Sequence, residues 1–252
     1  MYFPPIGVLA AGLVIAATAC TRGGTTPSAA PAVVEPITVV PTPALPDEPS
    51  VRPRINSPYF RDDALVRYTG ILEAESREVV EQQEAIVDQI KLSAGMIVAD
   101  IGAGTGLFTL PIATRVGSDG KVLAVDIVPA FLARVRERAE EANLQQVIVV
   151  EGTEKSTTLP EASVDVAFMC NTYHHIEFPQ TYMRSLRDAL KPGATLVLID
   201  FERVEGVTRP AVLRHVRANK ETVIDEVRQA GFVLDREVDL LEENYYLVFQ
   251  RP

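Results

Sequence analysis

Cysteine is nearly absent from this chain: two residues in 252, Cys20 and Cys170, exclude both a disulfide framework and a cysteine-rich zinc site. A basic surplus is absent too. Asp and Glu outnumber Lys and Arg by 34 to 24, the formal charge is −10, and no Lys/Arg-rich block interrupts the pattern. A nucleic-acid backbone selects a net basic face, so nucleic acid is excluded as the principal partner. Histidine occurs three times, as His174, His175 and His215. No carboxylate or cysteine spacing supports these as metal ligands, and no metal site is expected. Internal repeats are also missing. What is abundant is apolar: hydrophobic residues make up 47% of the chain and charged residues 23%. That is enough for one substantial core, hence one globular domain with an appendage.

The appendage is N-terminal. "MYFPPIGVLAAGLVIAATACT" has no charged side chain before Arg22 and carries an apolar run from Ile6 to Ala19 that ends in small residues and Cys20. It resembles a bacterial lipoprotein signal peptide. The resemblance implies cleavage before Cys20, acyl chains on that cysteine, and a membrane-associated lipoprotein. Ala17 stands where leucine is usual, and the first residues hold no Lys or Arg. An uncleaved anchor stays open, because the uncharged stretch is about long enough for a ~30 Å hydrocarbon core. Arg22 would then bias the domain toward the cytoplasm. A misassigned start codon is the third reading. Residues 21–57, rich in Pro, Thr, Ala and Val without a sustained period, read as a flexible extended linker. The domain occupies 58–252.

Within the domain, "SREVVEQQEAIVDQIKLSAG" sets Val79, Ile86, Val87 and Ile90 at helical spacing, with Gly95 ending the helix. Short apolar runs then alternate with helical segments: strands at Ile97–Ile101, Val122–Asp126, Val147–Glu151, Val164–Met169 and Thr195–Asp200. "PAFLARVRERAEEANL" and "PQTYMRSLRDALKPG" are helices, the second closed by Lys191, Pro192 and Gly193. Such alternation means an α/β domain with a mostly parallel, doubly wound sheet. Two last strand-like runs in "GFVLDREVDLLEENYYLVFQRP" are joined too briefly for a crossover helix and should pair antiparallel at an edge.

The chemistry starts at "VADIGAGTG". A strand that turns into a helix through Gly102, Gly104 and Gly106 lets a ligand approach the backbone closely. Asp126 ends the next strand about 20 residues on, where a carboxylate can accept bonds from ribose hydroxyls. The spacing is G-x-G-x-G and not the dinucleotide G-x-G-x-x-G, and Asp100 precedes the first glycine. No Tyr-x-x-x-Lys pair is present. A nicotinamide-dependent oxidoreductase therefore fits Asp126 but not the glycine loop.

From about Ser76 onward these residues resemble the class I S-adenosylmethionine-dependent methyltransferases. The resemblance implies a Rossmann-like sheet of seven strands in the order 3-2-1-4-5-7-6, with strand seven antiparallel in a C-terminal edge hairpin. It implies S-adenosyl-L-methionine as cofactor, with Asp100, Gly102, Ala103, Gly104 and Gly106 against its methionine and ribose parts. Asp126 would take the ribose, Ile127 would flank the adenine, and Thr153 or Glu154 would meet the adenine amino group where an aspartate is usual. Asn171, Tyr173, His174 and His175 in "CNTYHHIEFPQ" would lie across the cleft.

Methyl transfer from a sulfonium asks a protein chiefly for alignment, plus proton removal when the acceptor is a hydroxyl or an acidic carbon. His174, His175 and Tyr173 are the candidate catalytic residues, with a positioning role as the other reading of the histidines. His215 sits in a polar stretch on the expected substrate side. Arg217 and Lys220 could meet an anionic group or form a solvated helix face. Tyr245 and Tyr246 should divide between cleft and core. Cys170 reads as a small core residue. Asn171-Thr172-Tyr173 lacks the prolines of the Asn-Pro-Pro-Tyr motif, so methylation of a base is not supported. A small-molecule acceptor is expected; a tethered domain that binds the cofactor without turning it over is the alternative.

Overall fold

The apolar runs become a sheet buried on both faces. The computed structural model describes residues 48–61, 63–67, 70 and 77–252. The expected signal or anchor segment and residues 21–47 of the linker lie outside them. Among the described residues, no helix is long and apolar enough to cross a membrane. The strands are β1 (Ile97–Ile101), β2 (Lys121–Asp126), β3 (Val147–Glu151), β4 (Val164–Cys170), β5 (Leu190–Phe201), β6 (Val233–Glu237) and β7 (Asn244–Gln250). The helices are α1 (Arg77–Glu81), α2 (Gln83–Ile90), α3 (Thr109–Val116), α4 (Pro129–Glu141), α5 (Pro179–Ala189), α6 (Pro210–His215) and α7 (Lys220–Gln229).

The sheet has seven strands in the order β3-β2-β1-β4-β5-β7-β6. β1 to β5 pair in parallel, while β7 runs antiparallel to both β5 and β6. Side chains alternate across each strand. Ala99, Ile101, Ala167, Met169, Leu196 and Leu198 join the cluster under α5 and α7, whereas Val98, Val166, Phe168, Val197 and Ile199 join the one under α1, α2 and α3. Both faces are apolar because both are covered, which is why the strands read as continuous hydrophobic runs.

Local chemistry sets the ends. Pro129 and Pro179 stand at helix starts, where the fixed φ of proline is already helical and its missing N–H costs nothing. The Asn219 side chain accepts the Thr222 amide and caps α7. Three details depart from expectation. The first helix is two pieces, interrupted at Gln82, and its end is set by Lys91 in the left-handed region (φ 62°), four residues before Gly95. α5 passes directly into β5: Leu190 pairs with Val164, and the register then shifts so that Thr195 faces Val166, with Lys191–Gly193 strung between.

The third departure concerns residues 48–57, expected as the end of a flexible linker. They lie on the domain. Glu48 accepts the Gln180 amide at 2.8 Å and the Thr181 amide at 2.7 Å, capping the first turn of α5, whose own N-cap residue offers no side-chain bond. Ser50 donates to Glu177, Val51 donates its amide to the Glu177 carbonyl, and the Arg52 guanidinium reaches the Arg214 and His215 carbonyls. Proline-rich composition hid a strap whose anchors are single polar side chains.

Candidate active site

The chain leaves β1 for β2 and β3 on one side and returns through β4 and β5 on the other, so a crevice opens at the carboxyl ends of β1 and β4. Its walls include Asp100 at the end of β1 with Gly102, Ala103 and Gly104 from the loop that follows, and Asp126 at the end of β2 with Ile127 after it. Thr153 and Glu154 after β3, and Asn171 and His175 after β4, line it as well, whereas Gly106, Tyr173 and His174, also expected from sequence, do not.

The glycine loop is wound tightly on itself. Gly102 and Ala103 both donate their amides to the Val125 carbonyl, at 2.8 and 3.0 Å, and Gly106 donates to Ala103 at 2.8 Å. Gly104 donates to the Asp126 carboxylate at 2.9 Å. These four amides are committed inside the protein, so the loop is a surface of close approach and not an amide cradle for an anion. Glycine is required at its start: Gly102 has φ +71°, and a Cβ there would lie 2.3 Å from the Thr172 side chain. Gly106 lies off the cleft wall and admits the close packing of Leu110 and Val135.

Two buried carboxylates flank this loop. Asp100 accepts the Thr109 hydroxyl at 2.5 Å, yet burial, reinforced by the charge of Asp126, pushes its pKa up to about 7. Asp126 accepts the Gly104 and Val128 amides, one on each oxygen, and burial still raises its pKa. A carboxylate has about four lone-pair sites, so Asp126 keeps acceptor capacity beyond these amides, and it lines the cleft. Opposite them, Thr153 is held by a short two-way pairing with Ser156, and Glu154 beside it is exposed. Asn171, in the left-handed region at φ +50°, donates its amide to Ile199 and accepts the Asn244 amide nitrogen at 2.7 Å.

The Tyr173–His175 turn divides its residues. Only His175 reaches the cleft wall. Tyr173 does not: it is buried, its hydroxyl donates to Glu226 at 2.7 Å, and the Arg217 guanidinium lies over its ring. The expected catalytic tyrosine is a core residue, because the same turn that aims His175 at the cleft aims Tyr173 toward α7. His174 is also buried off the cleft, its Nδ1 2.7 Å from Asp200 Oδ1 and its amide donating to Oδ2 at 3.0 Å. His175 Nε2 lies 3.2 Å from His215 Nε2, while His175 Nδ1, buried, has no hydrogen-bond partner. Burial, with the neighbouring His174, His215 and Arg52, pushes the His175 pKa well down; burial and the His174 charge push His215 down to about 4. The chain spacing of the histidines shows no metal motif, but the fold brings all three together.

Other candidates resolve differently. Arg217 is bound by both oxygens of Glu226, and Lys220 by Glu202 and Glu237, so neither cation faces the cleft. Tyr245 and Tyr246 are both buried, on opposite faces of the sheet, and neither lines the cleft. Cys170 does line it, and burial with Asp200 and Asp100 nearby keeps its thiol protonated. Sequence reasoning missed the strap: Asn56 donates to the His175 carbonyl, and Tyr59 sets its ring edge-on to His175 at 5.4 Å and near Phe131 at 6.1 Å. Tyr182 and Ile176 were missed as well. Tyr59 and Asn56 lay in a stretch without periodicity, so no sequence signal marked them.

Strand order and cleft position define a Rossmann-like α/β domain with a ligand crevice, flanked by two buried carboxylates, where β1 and β4 diverge. The comparisons with known proteins agree. Residues 98–193 match a family described as a methyltransferase domain. A solved S-adenosylmethionine-dependent methyltransferase from Aquifex aeolicus superposes with a TM-score of 0.67 at 25% identity, covering 75% of this chain and 98% of that one. Among curated proteins, the hybrid PKS-NRPS synthetase apdA of Emericella nidulans is 35% identical over 121 residues, 46% of this chain and 3% of that protein. The ubiquinone/menaquinone biosynthesis C-methyltransferase UbiE of Marinomonas sp. is 27% identical over 120 residues, 47% of this chain and 48% of that one. The chain thus spans about half the length of UbiE and a small part of the synthetase.

Proposed function

We propose that this protein transfers a methyl group from S-adenosyl-L-methionine to a small-molecule acceptor. The observation that carries the reading is the polarity of the glycine loop. Its amides at Gly102, Ala103, Gly104 and Gly106 are spent internally, and two buried carboxylates stand beside it. A pyrophosphate needs open amides, as in the dinucleotide sites; this loop instead offers negative charge to a ligand bearing a sulfonium and an ammonium. When bound, the cofactor would supply an electrophilic methyl group. Asp126 would accept its ribose hydroxyls, Ile127 and Phe131 would enclose the base, Thr153 or Glu154 would meet the adenine edge, and Asp100 would lie toward the cationic part.

The acceptor would enter beside His175, between the strap residue Tyr59 and the turn after β4. The UbiE relative is named for C-methylation in quinone biosynthesis, which makes quinol-like compounds the first acceptors to assay. We also propose that residues 1–20 attach the domain to a membrane, as a lipoprotein through Cys20 or as an uncleaved anchor. What supports this is the uncharged apolar run ahead of Arg22.

The test is a titration of S-adenosylmethionine and, separately, NAD, followed by a turnover assay for S-adenosylhomocysteine. Micromolar binding of the first and none of the second is expected. Asp126→Ala should weaken binding roughly 100-fold, since two hydrogen bonds to a charged group are lost at ~1.5 kcal/mol or more each. His175→Ala should spare binding and slow transfer. Unchanged affinity in the Asp126 variant would end the ribose assignment; binding without turnover on any acceptor would favour a tethered cofactor-binding domain.

A further inference from the structure

All three histidines of the chain meet at one place, beside the cleft. Their ring centroids lie 4.3, 4.9 and 5.0 Å apart, and one nitrogen from each falls within 4.8 Å of the others. They arrive from two separate elements: His174 and His175 from the turn after β4, His215 from the end of α6. The strap holds both, because Asn56 bonds the His175 carbonyl and Arg52 the His215 carbonyl.

We propose that His174, His175 and His215 form a binding site for a divalent first-row transition metal, zinc in the first instance. Two features of the geometry point there. The Nε2 atoms of His175 and His215 are 3.2 Å apart. Two nitrogens bound to one zinc at 2.0–2.1 Å with tetrahedral angles lie roughly 3.3 Å apart, so little movement is needed. Next, Nδ1 of His174 is taken by the Asp200 carboxylate at 2.7 Å, which fixes the ring and leaves Nε2 as its outward nitrogen. A carboxylate behind a histidine is the usual outer support of a metal-binding imidazole. Asp200 is itself held in place, accepting the amides of His174 and Phe201.

His175 differs from His174 in having no such support: its Nδ1 is buried without a partner, and the ring is placed by its contact at Nε2 and by Tyr59. Imidazole suits zinc, copper, iron and nickel alike, and three such ligands leave a coordination position open.

The metal site itself is tested without the cofactor. The full chain, stripped with a chelator, is titrated with zinc by calorimetry and with cobalt by visible absorption. One equivalent of zinc and the bands of a four-coordinate nitrogen-ligated cobalt are expected from the unmodified protein. His215→Ala, at a half-buried position, should weaken zinc at least ~100-fold, and Asp200→Asn should weaken it about 10–100-fold, the usual effect of losing an outer-shell partner. Far-ultraviolet circular dichroism checks that both variants are folded. Absence of the cobalt bands, or a His215→Ala variant that is folded and binds zinc as before, would overturn the site. The His175–His215 contact would then be an N–H···N hydrogen bond in a metal-free core. Because no cofactor or acceptor is present in these titrations, failure here leaves the methyltransferase reading standing, and failure of that reading leaves this one.

Discussion

At the scale of single residues, Asp100 is a pH-sensitive group beside the loop. An unperturbed aspartate titrates near 3.9, whereas burial holds Asp100 up to about 7. The folded state therefore binds this proton more tightly than the unfolded state. Its contribution to stability is complete below about pH 4 and is lost as pH rises to about 7, at up to ~1.4 kcal/mol per unit. Denaturant unfolding of the ligand-free protein should show this decline between pH 4 and 7, and Asp100→Asn should flatten it. A cationic ligand prefers the ionised carboxylate, so S-adenosylmethionine should bind up to about tenfold more tightly at pH 8 than at pH 6. An equal affinity at both, measured by calorimetry, would place the ligand's charge away from Asp100.

The same scale shows where sequence reading stopped. Asp100, Gly102, Asp126 and Thr153 were legible because strand ends and glycine spacing point to one edge of the sheet. Tyr173, His174 and His175 were not separable, since three residues fill one turn of a tight helix and so face three directions. Which of them meets the cleft depends on the angle at which the turn leaves β4, and no local pattern encodes that angle.

Among the elements, α5 depends on a residue 132 positions away in the chain. Its N-terminal amides at Gln180 and Thr181, and the Thr181 hydroxyl, are all served by Glu48. A carboxylate at a helix N-terminus satisfies orphan donors and complements the helix dipole. Glu48→Ala should therefore destabilise the protein by about 1–2 kcal/mol, as loss of a cap does. Glu48→Gln should recover part of that, because an amide oxygen accepts one bond but carries no charge. Equilibrium unfolding of both variants checks the claim, and an unperturbed Glu48→Ala would mean that water replaces the cap without loss. The strands and most helices were readable from their apolar periods and prolines. The break at Gln82 and the strap were not, because each is decided by tertiary partners that a periodicity scan does not see.

For the whole molecule, alternation of strand and helix with a closing hairpin made the doubly wound class the most legible feature, while the order of the seven strands was legible only through the family resemblance. The cleft is its consequence, since the reversal between β1 and β4 must leave a crevice. A ligand that binds only the folded cleft stabilises the entire fold by mass action. S-adenosylmethionine at 100 times its Kd should add ~2.7 kcal/mol. For a domain of this size that corresponds to a Tm roughly 5–10 °C higher in a thermal melt, at about 2–4 °C per kcal/mol. NAD at the same concentration should leave the melt unmoved, and a shift with NAD would count against the inward-turned amides as the basis of selectivity.

The strap gives the fold a mechanical character. Among the described residues, the strap is fastened in chain order by Glu48 on α5, by Arg52 on the carbonyls beside His215, and by Asn56 and Tyr59 on the cleft wall. A load applied to the chain at Glu48 would be carried in sequence by these polar fastenings, and the sheet would feel it only after they had parted. The cleft wall is thus the last of the three fastenings to be loaded, shielded by those at α5 and beside His215.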